Sequence, residues 1–368
     1  MHPRLAIVQP YVPQYRVPFF TALLSRLDEL GIEGRVVAAS PTGELSARGD
    51  AAEQAAWIDR FPPKRWHFGG RHIDIGGSKR LWQDADAVIL FFQGTLVDAY
   101  RALYGPGRAN RRVGLWGHID SYIAPWNPVD RWLETRLARD ADRIFAYTPG
   151  GAATAERLGV PTERITTVMN SIATNDLLLR HAEFRSGANE EFKTKHGLGA
   201  GPTFGYIGSL DASKRVDLLA QALDELWRID PAAKLVVGGT GRDAGLLDAA
   251  VERGQVIRLG YADDEGVALI GSVSEAIMNP GRIGLVAVHA LAMGLPIVTS
   301  EYRFHAPELE YLREGETVFT ASDDPGEFAR TSINVAQSSD RIRGGQWAYP
   351  TLDAMVDNFA SGVVKLMA

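Results

Sequence analysis

The chain of 368 residues contains no cysteine. That excludes disulfides, cysteine metal sites and thiol catalysis together, and it fits a cytoplasmic setting. No apolar run approaches the roughly 20 residues of a membrane-spanning helix. The N-terminus leads directly into a strand-like Leu-Ala-Ile-Val at residues 5–8, so no signal peptide is expected. No histidine pair has metal-ligand spacing, and Asp84, Asp86, Asp140 and Asp142 read as surface carboxylates near strand starts. An excess of positive charge is missing too. The formal net charge is −6, which argues against a nucleic-acid partner.

What charge there is lies unevenly. Residues 1–118 carry 15 Lys and Arg against 11 Asp and Glu, whereas the remainder carries 24 against 34. A positive first part suits an acidic or membrane-associated partner. Hydrophobic content of 45% and charged content of 23% are those of a globular protein. The length suits two domains better than one core.

Short apolar runs alternate with amphipathic stretches throughout, which predicts an α/β fold with largely parallel sheets. In the first half, strands are expected near residues 5–8, 34–38, 87–91, 112–116, 143–147 and 165–168, with helices at 18–30 and 128–139. The polar stretch 181–196, followed by a glycine-rich 197–201, reads as a linker. The pattern then restarts, with strands at 203–207, 234–237, 256–259 and 276–278 and helices at 216–229 and 243–253. Domains of 1–190 and 197–346 follow, with a last amphipathic helix at about 347–368. Open α/β sheets bind ligands beyond the carboxyl ends of their strands.

The most informative segment is Asn279-Pro-Gly-Arg-Ile-Gly-Leu-Val-Ala-Val-His-Ala-Leu-Ala-Met-Gly-Leu-Pro296. It reads as a strand exit, a glycine-bearing loop, a short helix and a glycine stop before the next strand. Gly281 and Gly284 allow tight turning and close approach of a ligand. The helix that follows points free N–H groups and its positive dipole end into that loop, a ready anion site. Gly294 and Pro296 are placed to end the helix.

These residues resemble the donor signature of glycosyltransferase family 4, the retaining "group 1" family with the GT-B fold. That signature is E-G-F-G-L-x-x-x-E-A with a following glycine and proline. Gly284, Leu285, Ala290, Gly294 and Pro296 match, while the two glutamate positions fall on Gly281 and His289. The segment from Gly205 to Asp217 is similar to the family's G-R-L-x-x-x-K-G. Lys214 matches the lysine that neutralises a pyrophosphate, Ser209 stands at the arginine, and Arg215 replaces the final glycine. Gly208 and Gly239 shape the same turn region, the latter within Gly238-Gly-Thr-Gly241. The resemblance implies Lys214 on the leaving group, with Arg215 compensating for Ser209. The backbone of Gly284, Leu285 and Val286 would hold phosphate, and His289 the ribose. A solvated Lys-Arg pair and a packed histidine are the plain alternatives.

Further elements extend the likeness. Trp116-Gly-His118 resembles the family's W-G-H, which implies a sugar-orienting role for His118. Asn170-Ser-Ile-Ala-Thr174 resembles N-G-I-D. Phe304-His-Ala-Pro-Glu-Leu-Glu-Tyr-Leu312 resembles H-G-P-E-I-x-Y-L, with Glu308 read as a helix-start residue and His305 as a distant candidate for the cleft. The opening Gln9 to Phe20 is similar to bacterial polysaccharide-assembly members, which implies acceptor contacts from Tyr11, Tyr15 and Arg16, or simply a rigid turn. The mixture of bases and aromatics in residues 59–82 suits docking at an anionic membrane surface, or is a solvated loop.

The resemblance therefore implies two Rossmann-like domains facing each other across an interdomain cleft, the last helix crossing back to the first. It implies a metal-independent, retaining transferase of the hexosyl type, without a cofactor. The donor would be a UDP- or GDP-linked sugar, and the acceptor a glycan or polyprenyl-linked saccharide in cell-surface polysaccharide assembly. The setting would be the cytoplasm, at the inner face of the plasma membrane. The rival readings are a GT-B scaffold without activity and a nucleotide-sugar epimerase, for which no acid pair is found.

Overall fold

Strands that are apolar at nearly every position need cover on both faces, and the fold provides it twice. The computed structural model describes residues 2–40, 52, 55–62, 64–68, 71–120, 127–338 and 347–368. It divides into two compact units, residues 1–172 with 350–368, and residues 173–349.

In the first unit the strands are β1 (Arg4–Gln9), β2 (Glu33–Ala39), β3 (Ile58–Phe61), β4 (Lys64–Phe68), β5 (Arg71–Gly76), β6 (Ala87–Phe91), β7 (Arg112–Gly117), β8 (Arg143–Ala146) and β9 (Ile165–Thr167). Seven of them form a parallel sheet in the order β3-β2-β1-β6-β7-β8-β9. The alternation of side chains along a strand sends Leu5 and Ile7 to one face and Ala6 and Val8 to the other. The first face is covered by helix Val17–Glu29 and by the C-terminal helix Leu352–Met367. Phe359 from that last helix stacks on Phe145 at 4.7 Å and meets Trp116 edge-on at 4.9 Å. Its side chain is fully buried, and such a Phe is worth about 3–5 kcal/mol against Ala.

β4 and β5 make an antiparallel pair that the sequence pattern does not reveal. They carry much of the basic and aromatic stretch. The side chains of residues 63–75 in it lie outside the described ones, whereas Trp82 is fully buried in the second face of the core.

The second unit contains β10 (Thr203–Ile207), β11 (Lys234–Gly238), β12 (Val256–Gly260), β13 (Ala276–Met278), β14 (Ile297–Ser300) and β15 (Val318–Ala321), paired in parallel in the order β12-β11-β10-β13-β14-β15. Helix Val216–Ile229 buries Val216, Leu219, Ala222, Leu223 and Leu226, the 3.6-residue stripe legible in its sequence. The expected helix at 243–253 is broken instead into a 3-10 turn Ala244–Leu247 and a short helix Asp248–Glu252.

Two boundaries are corrected. The first unit ends at residue 172, not 190. The linker expected at 181–196 is helical: it holds the end of helix Asn175–Glu183, a π-turn Phe184–Ala188 and helix Glu190–His196. The helix Asn175–Glu183 belongs to the second unit because it packs on helix Asp264–Val273 and buries Leu177 in that core. Residues 181–196 are polar and mostly exposed, which is why composition alone made that stretch look like a connection.

Candidate functional site

In the second unit, the chain order of the strands reverses between β10 and β13. The two loops leaving these neighbours therefore emerge side by side, the place where doubly wound sheets hold ligands.

The loop after β10 begins at Gly208, whose φ of +147° suits only glycine. A Cβ on Gly239 would fall on the Gly208 carbonyl oxygen. The exit of β11 thus packs backbone on backbone against this loop, and Leu210 N–H donates to the Thr240 carbonyl at 2.9 Å. Asp211 then caps a 3-10 turn, accepting from Ser213 N–H at 2.9 Å and from the Ser213 hydroxyl at 2.6 Å. Burial works to raise the Asp211 carboxyl, but bonds from Ser213 and Ser209 and the charge of Lys214 outweigh it and hold it below its ordinary value.

The loop after β13 is clasped on both sides. Arg282 N–H donates to the Ser213 carbonyl at 2.8 Å, and the Lys214 ammonium donates to the Arg282 carbonyl. On the other side Ile283 N–H donates to His305 Nδ1 at 3.1 Å, and Ala306 N–H to the Ile283 carbonyl at 2.8 Å. The Ser300 hydroxyl holds the Pro280 carbonyl at 2.7 Å. His305 is consequently a brace of this loop. Burial, then the charges of Lys214 and Arg282, push its imidazole down to about 4, against a bond with the Ser300 backbone.

Gly281 has a different reason from the one its sequence position suggests. A Cβ there would come within 2.5 Å of Lys214 Cα and of the Ser213 carbonyl oxygen. The protein's own chain comes this close, and it leaves no room for a carboxylate.

Beyond the clasp the backbone is open. Among the described residues nothing accepts from the N–H groups of Gly284, Leu285 or Val286, which open helix Val286–Met293. Three consecutive unspent donors at a helix start form an anion cradle. The helix ends at Gly294, which is left-handed with φ +67° and satisfies the last turn as a glycine cap does. His289 sits within this helix with Nδ1 buried and unpartnered. Burial pushes its imidazole down to about 4, so it is neutral at pH 7. A neutral ring with an open nitrogen can exchange a hydrogen bond with a hydroxyl.

The cations differ in their freedom. Burial, the largest influence, pushes the Lys214 ammonium down to about 8, with Asp211 and Glu308 opposing and Arg282 adding to the shift. Arg215 is ion-paired to Asp323 at 2.7 Å and stands in the left-handed region with φ +54°. It occupies that backbone position in place of glycine, and Asp323 holds its charge in this structure. Ser209 is exposed and interacts with Asp211. Glu308, read from sequence as a helix-start residue, is 3% exposed; its carboxylate comes within 3.9 Å of where a Gly284 Cβ would stand. Nothing in the local sequence signals that burial, since the 3-10 turn Pro307–Tyr311 is brought to the loop by the chain's return after β14.

In the first unit, His118 follows β7 and meets the Tyr147 ring edge-on at 4.6 Å. Tyr15 is 46% exposed and Tyr11 half-buried. Arg16 corrects the expectation of an open acceptor contact, since it is only 5% exposed. Its guanidinium donates to Asn170 Oδ1 at 2.5 Å, to the Ser171 carbonyl at 3.2 Å and to Met355 Sδ at 3.6 Å. It also lies 5.7 Å from the Trp116 ring centroid. These partners make it a brace joining the first loop to the C-terminal helix. Among the described residues no three His, Asp or Glu side chains gather as a metal site would require.

Two units, each a parallel sheet covered by helices on both faces, define the GT-B class. The structure resembles that of Anabaena HepE in complex with UDP, with a TM-score of 0.65 and 13% identity over 98% of this chain and 99% of that one. A family described as "Glycosyl transferases group 1" matches residues 201–338, and a "Glycosyl transferase 4-like domain" matches residues 17–171. The chain belongs to the group 1 glycosyltransferases. A glycogen synthase of Granulibacter bethesdensis is 36% identical over 131 residues, 33% of this chain and 27% of the relative. A D-inositol 3-phosphate glycosyltransferase of Nocardia farcinica is 28% identical over 191 residues, 47% of this chain and 41% of the relative. Each match spans less than half of these curated relatives.

Proposed function

We propose that the protein transfers a sugar from a nucleoside diphosphate sugar to an acceptor hydroxyl, with retention at the anomeric carbon and without a metal. The observation that carries this reading is the run of unspent N–H donors at Gly284, Leu285 and Val286 beside Lys214. As the bond from C1 to the β-phosphate oxygen breaks, its electron pair stays on that oxygen. The acceptor oxygen bonds to C1, and its proton passes to the leaving phosphate. Fixed donors and a cation favour that developing charge, and each such contact is worth about 10²–10³ in kcat. His289 takes the ribose hydroxyls as a neutral imidazole, and His118 orients the sugar. Gly208, Ser209, Arg215, Gly239 and Gly281 shape the turns around the diphosphate. Tyr11 and Tyr15 belong to the acceptor side, and Arg16 supports them from beneath.

A UDP- or GDP-linked hexose and a glycan or polyprenyl-linked acceptor in cell-surface polysaccharide assembly complete the proposal, with the membrane surface as the place of work. Among the described residues no helix is long and apolar enough to cross a membrane. A second reading, ligand binding without transfer, is favoured by Gly281, where the Lys214 backbone excludes a carboxylate.

The test is a thermal-shift screen with UDP, GDP, ADP and dTDP and their sugar conjugates, repeated on Lys214→Ala. One nucleotide should raise Tm, and the variant should lose most of that shift. Incubating the matching donor with candidate acceptors, and reading the anomeric configuration by NMR, then separates transfer from binding alone. No shift with any nucleotide at millimolar concentration overturns the proposal.

A further inference from the structure

We propose that a cavity at the amino-terminal edge of the second unit's sheet binds a small acidic saccharide, a single sugar ring carrying a phosphate or a carboxylate. The cavity measures about 200 Å³ and is lined by Arg185, Asn189, Lys193, Gly271, Ser272 and Leu295. Leu295 stands just before β14, and Gly271 and Ser272 lie in the last turn of helix Asp264–Val273, which leads into β13. The donor cradle lies beyond the opposite, carboxyl ends of these strands. The two sites are therefore separate, and this one stands without the donor reading. Three of its walls come from residues 181–196, whose polar composition reads as a linker. The π-turn Phe184–Ala188, with Gly187 at φ +122°, joins two helices there and sets Arg185, Asn189 and Lys193 around one space.

The walls select the ligand. Asn189 is only 1% exposed. Its Nδ2 donates to the Ser272 hydroxyl at 3.0 Å, and that hydroxyl donates onward to the Leu269 carbonyl at 2.8 Å. The single hydroxyl proton is spent there, so Ser272 can only accept from Asn189, which fixes the amide's orientation. Asn189 Oδ1 is then a buried acceptor without a partner among the described residues, a costly state until a donor arrives. A sugar hydroxyl is such a donor, and Leu295 gives the C–H face of a ring an apolar surface. The lining carries two cations and no acid. Among the described residues no carboxylate pairs with Arg185, since its neighbour Glu183 is held by Arg180 at 3.1 Å. Lys193 meets Glu190 at 2.9 Å, but that carboxylate is 67% exposed and three residues away on the same helix. Such pairs contribute little, so a ligand anion can take the place of Glu190. A fully ionised anion accepts only and cannot satisfy Oδ1, and a neutral sugar cannot use the cations. An acidic sugar does both. The cavity is smaller than the roughly 300–1,000 Å³ of pockets for drug-sized ligands, which limits the occupant to one ring.

The experiment is calorimetric titration of the whole chain with galactose 6-phosphate, galacturonate, galactose and inorganic sulfate. At least one acidic sugar should bind, and the tighter of the two names the acid group. Galactose and sulfate should each bind about 10-fold more weakly than it, a difference of about 1.4 kcal/mol. The double variant Arg185→Gln, Lys193→Gln changes one exposed and one half-buried side chain, so it should fold with an unchanged Tm. It should lose about 10-fold in acidic-sugar affinity, while Lys214→Ala keeps that affinity within about 2-fold. Asn189→Ala should bind the acidic sugar no better than sulfate; if that variant does not fold, the double variant and the comparison with sulfate decide. Neither acidic sugar binding at millimolar concentration overturns the proposal. So does sulfate binding as tightly as the sugars, or affinity that survives in the double variant. Affinity lost in Lys214→Ala would place the sugar at the donor cradle and overturn it equally.

Discussion

The two units solve the same topological problem with opposite outcomes. In each, a parallel sheet reverses its strand order beside its opening strand, between β1 and β6 in the first and between β10 and β13 in the second. In the first unit the loop leaving β1 closes on itself. Its cation, Arg16, is buried, and its N–H groups are spent on Asn170 and Ser171. In the second unit the loops are glycine-shaped and clasp one another, so that their internal bonding is complete by Ile283 and the next three N–H groups remain unspent. A strand-to-helix turn can offer its N–H groups to an anion only when other contacts hold the turn and leave the helix start alone. Topology supplies the place, and the clasp supplies the donors.

The sharpest way to break that comparison is Gly281→Ala. The added methyl would meet Lys214 Cα and the Ser213 carbonyl, both backbone, so neither neighbour can rotate aside. Overpacking against rigid chain costs about 3 kcal/mol. We expect a lower denaturation midpoint for the second unit and loss of nucleotide binding together. Near-native stability with intact binding would show that the clasp is not what holds the cradle.

Arg16→Ala tests the other unit. It leaves the buried Asn170 Oδ1 and the Ser171 carbonyl short of a donor, at about 1–3 kcal/mol for an unpaired buried group. Stability measured by chemical denaturation should fall by about 2 kcal/mol, with nucleotide affinity unchanged within about 2-fold. A change in nucleotide affinity of 10-fold would contradict the bracing role.

These two residues also show how much was readable beforehand. The strands at 87–91 and 203–207 and the helix at 216–229 begin and end where the sequence pattern marks them, because each is one uninterrupted apolar or amphipathic period. The glycine stop at Gly294 and the open helix start after Gly284 were legible for the same local reason. Arg16 was not, because its partners Asn170 and Met355 lie 154 and 339 residues away in sequence. The packing of the Lys214 backbone on Gly281 was not legible either, because a glycine's signature is the same whether a ligand or the chain itself comes close. Glu308 stands in the first turn of its 3-10 helix as its sequence suggests, but its burial was not legible, and the polar residues 181–196 concealed the helices they form.

Alkaline pH should separate Lys214's two contributions by sign. Its ammonium titrates at about 8 in the folded protein and at its ordinary 10.5 when unfolded. Between those values the unfolded chain binds more protons, so this group's contribution to stability rises with pH. Diphosphate affinity should do the reverse and weaken as pH passes about 8, and proton uptake on binding should appear in buffers of different ionisation enthalpy. Lys214→Arg should flatten the affinity profile. A wild-type profile level from pH 7 to 10 would remove Lys214 from the diphosphate.

The smallest effect belongs to its neighbour. Arg215→Gly relieves a left-handed non-glycine residue, a conformation that costs about 1 kcal/mol. It also frees the unfolded chain, at about 0.4–1 kcal/mol, and removes a partly exposed ion pair worth about 0.5 kcal/mol. These terms nearly cancel, so stability should move by less than about 0.5 kcal/mol. Because the Arg215 charge is already held by Asp323, nucleotide affinity should also stay within about 2-fold. Two adjacent cations would then differ by their partners alone, one bound to a carboxylate and one resting on a carbonyl beside the cradle. A loss of affinity in Arg215→Gly as large as that in Lys214→Ala would mean that the Asp323 pair opens for the ligand, and that Arg215 is a second cation on the diphosphate.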